Sequence, residues 1–216
     1  MPAVVPPSFL FRYSFPVRRA DNLPRKGAPL LGLGEEFTLP DLAALSESPR
    51  FAELRMAWNP GGVGINVRVQ GKSQPPVCNP TYPAESDGLQ VWIDTRNTQS
   101  IHRASRFCHH FCALPDGGKR KGPAAVQLPI ARAREEAPLA SPEQIRVHCE
   151  SQRDGYLLEM WLPADALTGF DPEANPRLGF YALVRDSEFG EQFLTVGREF
   201  PFANDPSLWS TAELAQ

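Results

Sequence analysis

The segment Arg106-Phe107-Cys108-His109-His110-Phe111-Cys112 is a dense run of thiol and imidazole side chains. If it is extended, Cys108, His110 and Cys112 share one face, and the two thiols lie about 13 Å apart. That separation is too large for one tetrahedral zinc ion, so a zinc site would need a bulge or turn and a further ligand from another segment. Because buried cysteines commonly pack as small apolar residues, we expect metal-free thiols here.

Two tryptophans lie opposite the apolar residues of their predicted strands. Trp92 and Trp161 could stack on the C–H faces of a sugar, with Gln90, Asp94 and Glu159 accepting hydrogen bonds from its hydroxyls. The alternative is that a proline-rich N-terminal segment covers both indoles, and this is favoured because large apolar residues are rarely left exposed without a partner. The segment offers four large apolar side chains for such a cover: Leu30, Leu31, Leu33 and Phe37.

Several carboxylates stand at the ends of predicted strands. Asp87 and Asp186, together with Asp94 and Glu159, could line a calcium site with backbone carbonyls. Aspartates in such places more often cap turns with their side chains, so no metal is favoured.

The sequence holds none of the local motifs that build a catalytic site. It lacks a Gly-x-Ser-x-Gly elbow, a phosphate-binding Gly-x-x-x-x-Gly-Lys-Ser/Thr loop and a His-Glu-x-x-His pair. The acidic pairs Glu35-Glu36 and Glu135-Glu136 lie in charged, loop-like surroundings, where adjacent carboxylates more often solvate a surface than flank a glycosidic bond. We therefore expect a protein that is not an enzyme.

The elements that must position these side chains are strands. Apolar residues alternate with polar ones wherever proline is absent, which is typical of half-buried strands. Hairpin turns are predicted at Asn59-Pro60-Gly61-Gly62, Arg153-Asp154-Gly155 and Phe189-Gly190-Glu191. About nine short strands with turns between them predict an all-β fold, an antiparallel, jelly-roll-like β-sandwich. Helix is expected only as short turns, at 39–45 and 163–167.

Composition describes one folded domain over residues 1–216, with a proline-rich segment at 1–45 that covers or extends the sandwich. The 23 prolines are about twice the usual share, so long helices are not expected. A net charge of −3 gives no excess of positive charge for binding nucleic acid, and no apolar run has the length of a membrane helix. Because the start also lacks the apolar run of a signal peptide, we expect a soluble, cytoplasmic protein with reduced cysteines.

Three segments resemble the family-9 carbohydrate-binding modules and the related DOMON-like domains. The first is Asp87-Gly88-Leu89-Gln90-Val91-Trp92-Ile93-Asp94-Thr95-Arg96, a strand that ends in an Ile-Asp pair. The second is Tyr156-Leu157-Leu158-Glu159-Met160-Trp161-Leu162-Pro163, with an inner glutamate before an apolar-proline step. The third is the tail from Asn204 to Leu214, which resembles the closing strand of the family. The resemblance covers residues 50–216.

The resemblance implies a sandwich whose better-known members bind sugars without hydrolysing them, sometimes with a structural calcium ion. We therefore expect a non-catalytic ligand-binding domain with a carbohydrate ligand and no cofactor other than that calcium. The rival hypothesis is a structural or adaptor protein that docks a protein partner through an exposed aromatic face. Exposure of Trp92 and Trp161 bears on both hypotheses, because a concave face with polar groups favours sugar and a flat apolar one favours protein.

Overall fold

The computed structural model describes residues 12–41, 50–118 and 122–216, and strands dominate it. This confirms the all-β prediction. Helix in the described residues is limited to three-residue 3-10 turns, and none is long and apolar enough to cross a membrane. The turn predicted at 163–167 is present as Ala164–Ala166, whereas most of the one predicted at 39–45 lies outside the described residues. The strands of the described ranges are β1 (Ser14–Arg19), β2 (Ala52–Asn59), β3 (Gly62–Gln70), β4 (Gly88–Asp94), β5 (Cys108–Leu114), β6 (Ala124–Leu128), β7 (Arg146–Gln152), β8 (Gly155–Pro163), β9 (Arg177–Asp186), β10 (Gly190–Phe193) and β11 (Ser210–Ala215).

The strands form one sheet in the order β6-β5-β4-β9-β11-β1-β2-β3-β8-β7, with β10 added to β9. β1 runs parallel to both β11 and β2 and thereby joins two antiparallel halves. Side chains from both halves meet in one core, so the sheet folds over on itself as a sandwich does. The nine residues that the alternation predicts as core are all buried in it: Ile65, Val67, Leu89, Val91, Ile93, Leu158, Met160, Phe180 and Ala182.

The three predicted hairpin turns all connect paired strands. β2 and β3 pair up to Asn59 and Gly62, while β7 and β8 pair up to Gln152 and Gly155. At Gly62 the backbone φ is +147°, and a Cβ would lie 2.2 Å from the Leu162 carbonyl oxygen. Glycine is therefore required there, because no side chain fits between β3 and β8.

Residues 20–33, called the strap below, cross the outer face of β2, β3 and β8. Two side chains of β2 hold the strap at its ends. Asn59 Nδ2 donates to the carbonyl oxygens of Ala20 and Leu23, and Arg55 Nη1 donates to that of Leu33 at 2.6 Å. The alternating aromatic residues Phe9, Phe11, Tyr13 and Phe15 predict a strand at the start of the chain. Residues 9–11 lie outside the described ranges, and β1 begins at Ser14.

Candidate functional site

The predicted stacking platform is closed. Trp161 is 3% exposed and packs beneath the strap, against Leu23, Leu30, Leu31 and Leu33. The N-terminal segment thus covers Trp161, and this indole does not lie on an open face where a sugar could stack. Strand parity places the indole on the outer face correctly, but parity does not say whether another segment lies over that face.

Trp92 is also buried, at 2% exposure, but a different part of the chain covers it. Its indole stacks on the imidazole of His110, with ring centroids 4.2 Å apart and planes 7° from parallel. Phe202 and Tyr181 approach the same indole edge-on, at 5.5 and 5.7 Å. The connection that follows β10 therefore closes this face, and Trp92 cannot meet a ligand.

The polar residues predicted to accept sugar hydroxyls are occupied within the fold. Gln90 Nε2 donates to the Ala84 carbonyl oxygen at 2.9 Å. Asp94 accepts from the backbone N–H groups of Arg96 and Thr98, at 2.9 and 2.6 Å, and its burial raises the pKa of the carboxyl group. Glu159 is fully buried and accepts from three N–H groups of the strap. These three side chains hold loops in place and are not available to a ligand.

The cysteine and histidine run forms β5, with the predicted division of faces. Cys112 Sγ lies 3.6 Å from His110 Nε2, and Cys108 Sγ lies 3.9 Å from Ser105 Oγ. Burial raises the pKa of both thiols to about 12 and lowers that of His110 to about 3. In the described parts of the chain, no three His, Cys, Asp or Glu side chains converge as a metal site would require, so Cys108, His110 and Cys112 are not placed for zinc.

The predicted calcium ligands already have protein partners. Asp87 accepts from the Val77 N–H and from both the N–H and the hydroxyl of Ser187, at 2.7 to 2.9 Å. Asp186 accepts from the Lys72 ammonium at 2.5 and 2.6 Å, and both side chains of this pair are buried. A cationic side chain stands where a metal ion would bind Asp186, so this set of residues does not fit calcium.

A cleft of about 350 Å³ opens between β1, the β4–β5 loop and the connection from β10 to β11. Tyr13, Phe200 and Leu208 form a partly exposed apolar wall, behind which Trp209 is buried. Thr195 also lines the cleft, and its hydroxyl is buried and has no hydrogen-bond partner among the described residues. This C-terminal cleft thus combines apolar surface with an unsatisfied polar group.

The rim of the C-terminal cleft carries a serine, a histidine and an aspartate in contact. Asp205 accepts from the Ser207 hydroxyl at 2.6 Å, and His102 Nδ1 lies 3.1 Å from both Asp205 Oδ2 and Ser207 Oγ. A catalytic triad places the serine and the carboxylate on opposite imidazole nitrogens. Here both contact Nδ1, so the three side chains form a capped turn and are not arranged to activate the serine as a nucleophile.

A larger cleft of about 670 Å³ lies between the β3–β4 loop, the β5–β6 hairpin and β7. Its walls include Pro75, Pro76, Pro115 and Pro123, and the aromatic ring among its described lining residues, Tyr156, is 1% exposed. Without an accessible ring, this cleft offers a sugar no stacking surface.

The sequence does not predict the C-terminal cleft, because the residues that line it converge from three separate loops. The tail sequence Asp205-Pro206-Ser207 does carry a local signal, since aspartate followed by proline is a helix-start pattern. Asp205 indeed caps the 3-10 turn Pro206–Leu208 by accepting from the Ser207 N–H. Nothing in the sequence indicates that this turn faces His102.

Comparison with known proteins gives matches among solved structures. No protein-family model and none of the curated proteins matches the chain. A family-9 carbohydrate-binding module from Caldicellulosiruptor kristjanssonii, solved with cellotriose, superposes with a TM-score of 0.60 at 12% identity, over 93% of each chain. The protein has a family-9 carbohydrate-binding-module fold.

Two further structures agree with this assignment. A family-9 module from the same organism in complex with glucose gives a TM-score of 0.57 at 13% identity, over 94% of this chain and 95% of that one. A candidate carbohydrate-binding protein from Bacteroides uniformis gives 0.57 at 13% identity, over 95% of this chain and all of that one. The family-9 resemblance noted in the sequence is thereby confirmed for the fold.

Proposed function

We propose that the protein is a non-catalytic carbohydrate-binding domain and that the C-terminal cleft is its ligand site. The fold likeness supports the ligand class, because two of the similar structures are carbohydrate-binding modules in complex with cellotriose and glucose. The cleft supports the location, because it combines partly exposed aromatic surface with convergent polar groups.

The two sides of the cleft match the two surfaces of a pyranose ring. Phe200 and Tyr13 offer ring surface for the C–H face of a sugar. The Asp205 carboxylate accepts hydrogen bonds from hydroxyls, and Arg12 and His102 donate them at the exposed rim. A volume of about 350 Å³ lies in the range of small-molecule sites and suits one or two sugar rings.

We infer that the cleft is not catalytic from the number of carboxylates that line it. Asp205 is the one carboxylate among the described residues that line it. Most glycosidases need two carboxylates facing each other across the scissile bond. A single carboxylate that already caps a turn suits recognition of hydroxyls and not hydrolysis.

The adaptor hypothesis needed an exposed aromatic face at Trp92 and Trp161. Both indoles are covered by the protein itself, so the observation that would have favoured a protein partner is lacking. Carbohydrate binding is the function that we retain.

A titration of the purified protein with glucose and cello-oligosaccharides, followed by calorimetry or NMR shifts, tests this proposal. We expect micromolar to millimolar affinity, about −4 to −8 kcal/mol. Phe200→Ala should remove most of the binding, and Asp205→Asn should weaken it while keeping the cap, since asparagine caps as well as aspartate does.

Tyr82→Ala provides the matched control, because Tyr82 is an exposed aromatic residue, at 58%, that does not line the C-terminal cleft. It should leave the affinity unchanged. If Tyr82→Ala abolishes binding while Phe200→Ala does not, the ligand site lies elsewhere. If no glycan of a broad array binds the protein, the function itself is wrong.

A further inference from the structure

β7 is an edge strand of the sheet, and its C-terminal half borders the larger cleft. It pairs with β8 alone, and no strand in the described residues pairs with its other side. Gln152 and Gly155 close a two-residue hairpin turn, so the even-numbered residues of β7 exchange hydrogen bonds with β8. The N–H and C=O groups of Val147, Cys149 and Ser151 therefore point away from β8. A row of such groups is a template for a further strand.

The opposite edge, β6, is protected in a way that β7 is not. Gln127 of β6 holds the following loop beside the strand, donating to the Pro138 carbonyl oxygen at 3.2 Å and accepting from the Ala140 N–H at 2.8 Å. Prolines also stand directly outside β6, at positions 123 and 129. β7 contains no proline, and its seven residues pair in continuous register with β8.

The outer face of β7 has a charge pattern that complements itself. Arg146, His148 and Glu150 alternate on this face. Both charged side chains are exposed, and Arg146 Nη2 also donates to the Arg25 carbonyl oxygen of the strap at 2.8 Å. If two copies of β7 run antiparallel about a two-fold axis at His148, Arg146 of each copy faces Glu150 of the other. Opposite charges in this cross-strand position stabilise a sheet.

We propose that the protein forms a two-fold symmetric dimer through β7, with His148 on the axis. The backbone groups of Val147 then bond those of Cys149 in the second copy, and the two Arg146–Glu150 pairs fix the register. A seven-residue edge is smaller than a standard interface of about 1,600 Å², so the dimer should be weak and concentration-dependent. The proposal does not depend on carbohydrate binding.

Sedimentation velocity over a concentration series tests the association. The wild-type protein should shift from monomer to dimer, and Glu150→Arg should raise the dissociation constant about tenfold or more, because it sets two pairs of like charges opposite each other. The double variant Arg146→Glu with Glu150→Arg should restore wild-type association. A protein that stays monomeric throughout, or a charge swap that restores nothing, overturns the proposal.

Cross-linking tests the register. His148 faces itself across the axis as a non-hydrogen-bonded pair, for which Cα atoms lie about 4.5 Å apart, within disulfide reach. His148→Cys should therefore form a covalent dimer on oxidation, seen in a non-reducing gel. Glu150→Cys, two residues from the axis, should not exceed the wild-type background. Equal or stronger cross-linking through position 150 contradicts this dimer.

Discussion

Glu159 Oε2 accepts a hydrogen bond of 2.6 Å from the backbone N–H of Leu30, in a place closed to solvent. Its Oε1 atom accepts from the N–H groups of Leu31 and Gly32, at 3.2 and 2.8 Å. Three N–H donors replace the water that a carboxylate loses on burial. One side chain of β8 thus holds the centre of the strap against the sheet, directly beside Trp161.

Glu159→Ala should lower the free energy of unfolding by about 2–4 kcal/mol, because it leaves two buried N–H groups and one half-buried N–H group without acceptors. It should also speed tryptic cleavage after Arg25 or Lys26 in the strap, and raise iodide quenching of tryptophan fluorescence. Glu213→Ala is the control, since that carboxylate is exposed on β11 and belongs neither to the strap nor to β7. A change below half a kcal/mol would mean that the strap is held by its apolar contacts alone.

Trp161→Ala and Trp92→Ala should each cost about 3–5 kcal/mol of stability, as expected for a large buried aromatic side chain. Neither change should alter the sugar affinity of the molecules that remain folded. Urea unfolding and calorimetry on the same samples separate the two effects. Loss of binding without loss of stability would restore the indoles to a ligand site.

The sequence predicts the strands because alternation with period two is a local signal. Leu89, Val91 and Ile93 are buried in the central core, as their spacing requires. The same alternation places Trp92 and Trp161 on the outer faces, where the structure has them. Local patterns of this kind also predict the hairpin turns at Gly62 and Gly155.

The covering of the outer faces is not a local property. Trp92 is closed by Phe202, more than one hundred residues later in the chain, and no periodicity records that contact. The C-terminal cleft has the same origin, since Arg12, His102 and Phe200 come from distant segments. Which side chain covers an outward-facing residue depends on the paths of distant loops, and the alternation of apolar and polar residues carries no information about those paths.

The Lys72–Asp186 pair should be strongly coupled. Removing one partner of a buried ion pair typically costs about 3–5 kcal/mol, because the other charge is left without compensation. Lys72→Met should show this loss while keeping the apolar stem. The double variant with Asp186→Asn should recover part of it, because asparagine still accepts from the Glu188 and Phe189 N–H groups that Asp186 now binds.

A double-mutant cycle from chemical denaturation measures the coupling, and losses of stability that simply add would show that the pair does not interact.

The wild-type protein also provides a test of calcium binding at Asp186. Since the Lys72 ammonium occupies the cation position at Asp186, excess calcium should leave the melting temperature of the wild-type protein unchanged. A rise with calcium that chelation reverses would contradict this.

Two adjacent buried histidines should make the protein sensitive to mild acid. Burial lowers the pKa of His109 to about 4 and that of His110 to about 3, from an ordinary value of 6.5. Between pH 6.5 and the lowered pKa of each histidine, the unfolded chain binds a proton that the folded chain does not. Each histidine therefore contributes stability that is present above pH 6.5 and is lost as pH falls toward its folded pKa.

The free energy of unfolding should fall by about 1.4 kcal/mol per pH unit for each histidine as the pH is lowered, measured by urea unfolding between pH 6.5 and 4.5. In His110→Gln, the dependence of the unfolding free energy on pH should decrease by the contribution of one histidine. The lost packing against Trp92 lowers stability equally at every pH, so it does not change this slope. Asp94 acts in the opposite direction, since burial raises the pKa of its carboxyl group, but this contribution is common to both proteins and cancels in the comparison. Equal slopes for the wild type and His110→Gln would mean that His110 is protonated in the folded state.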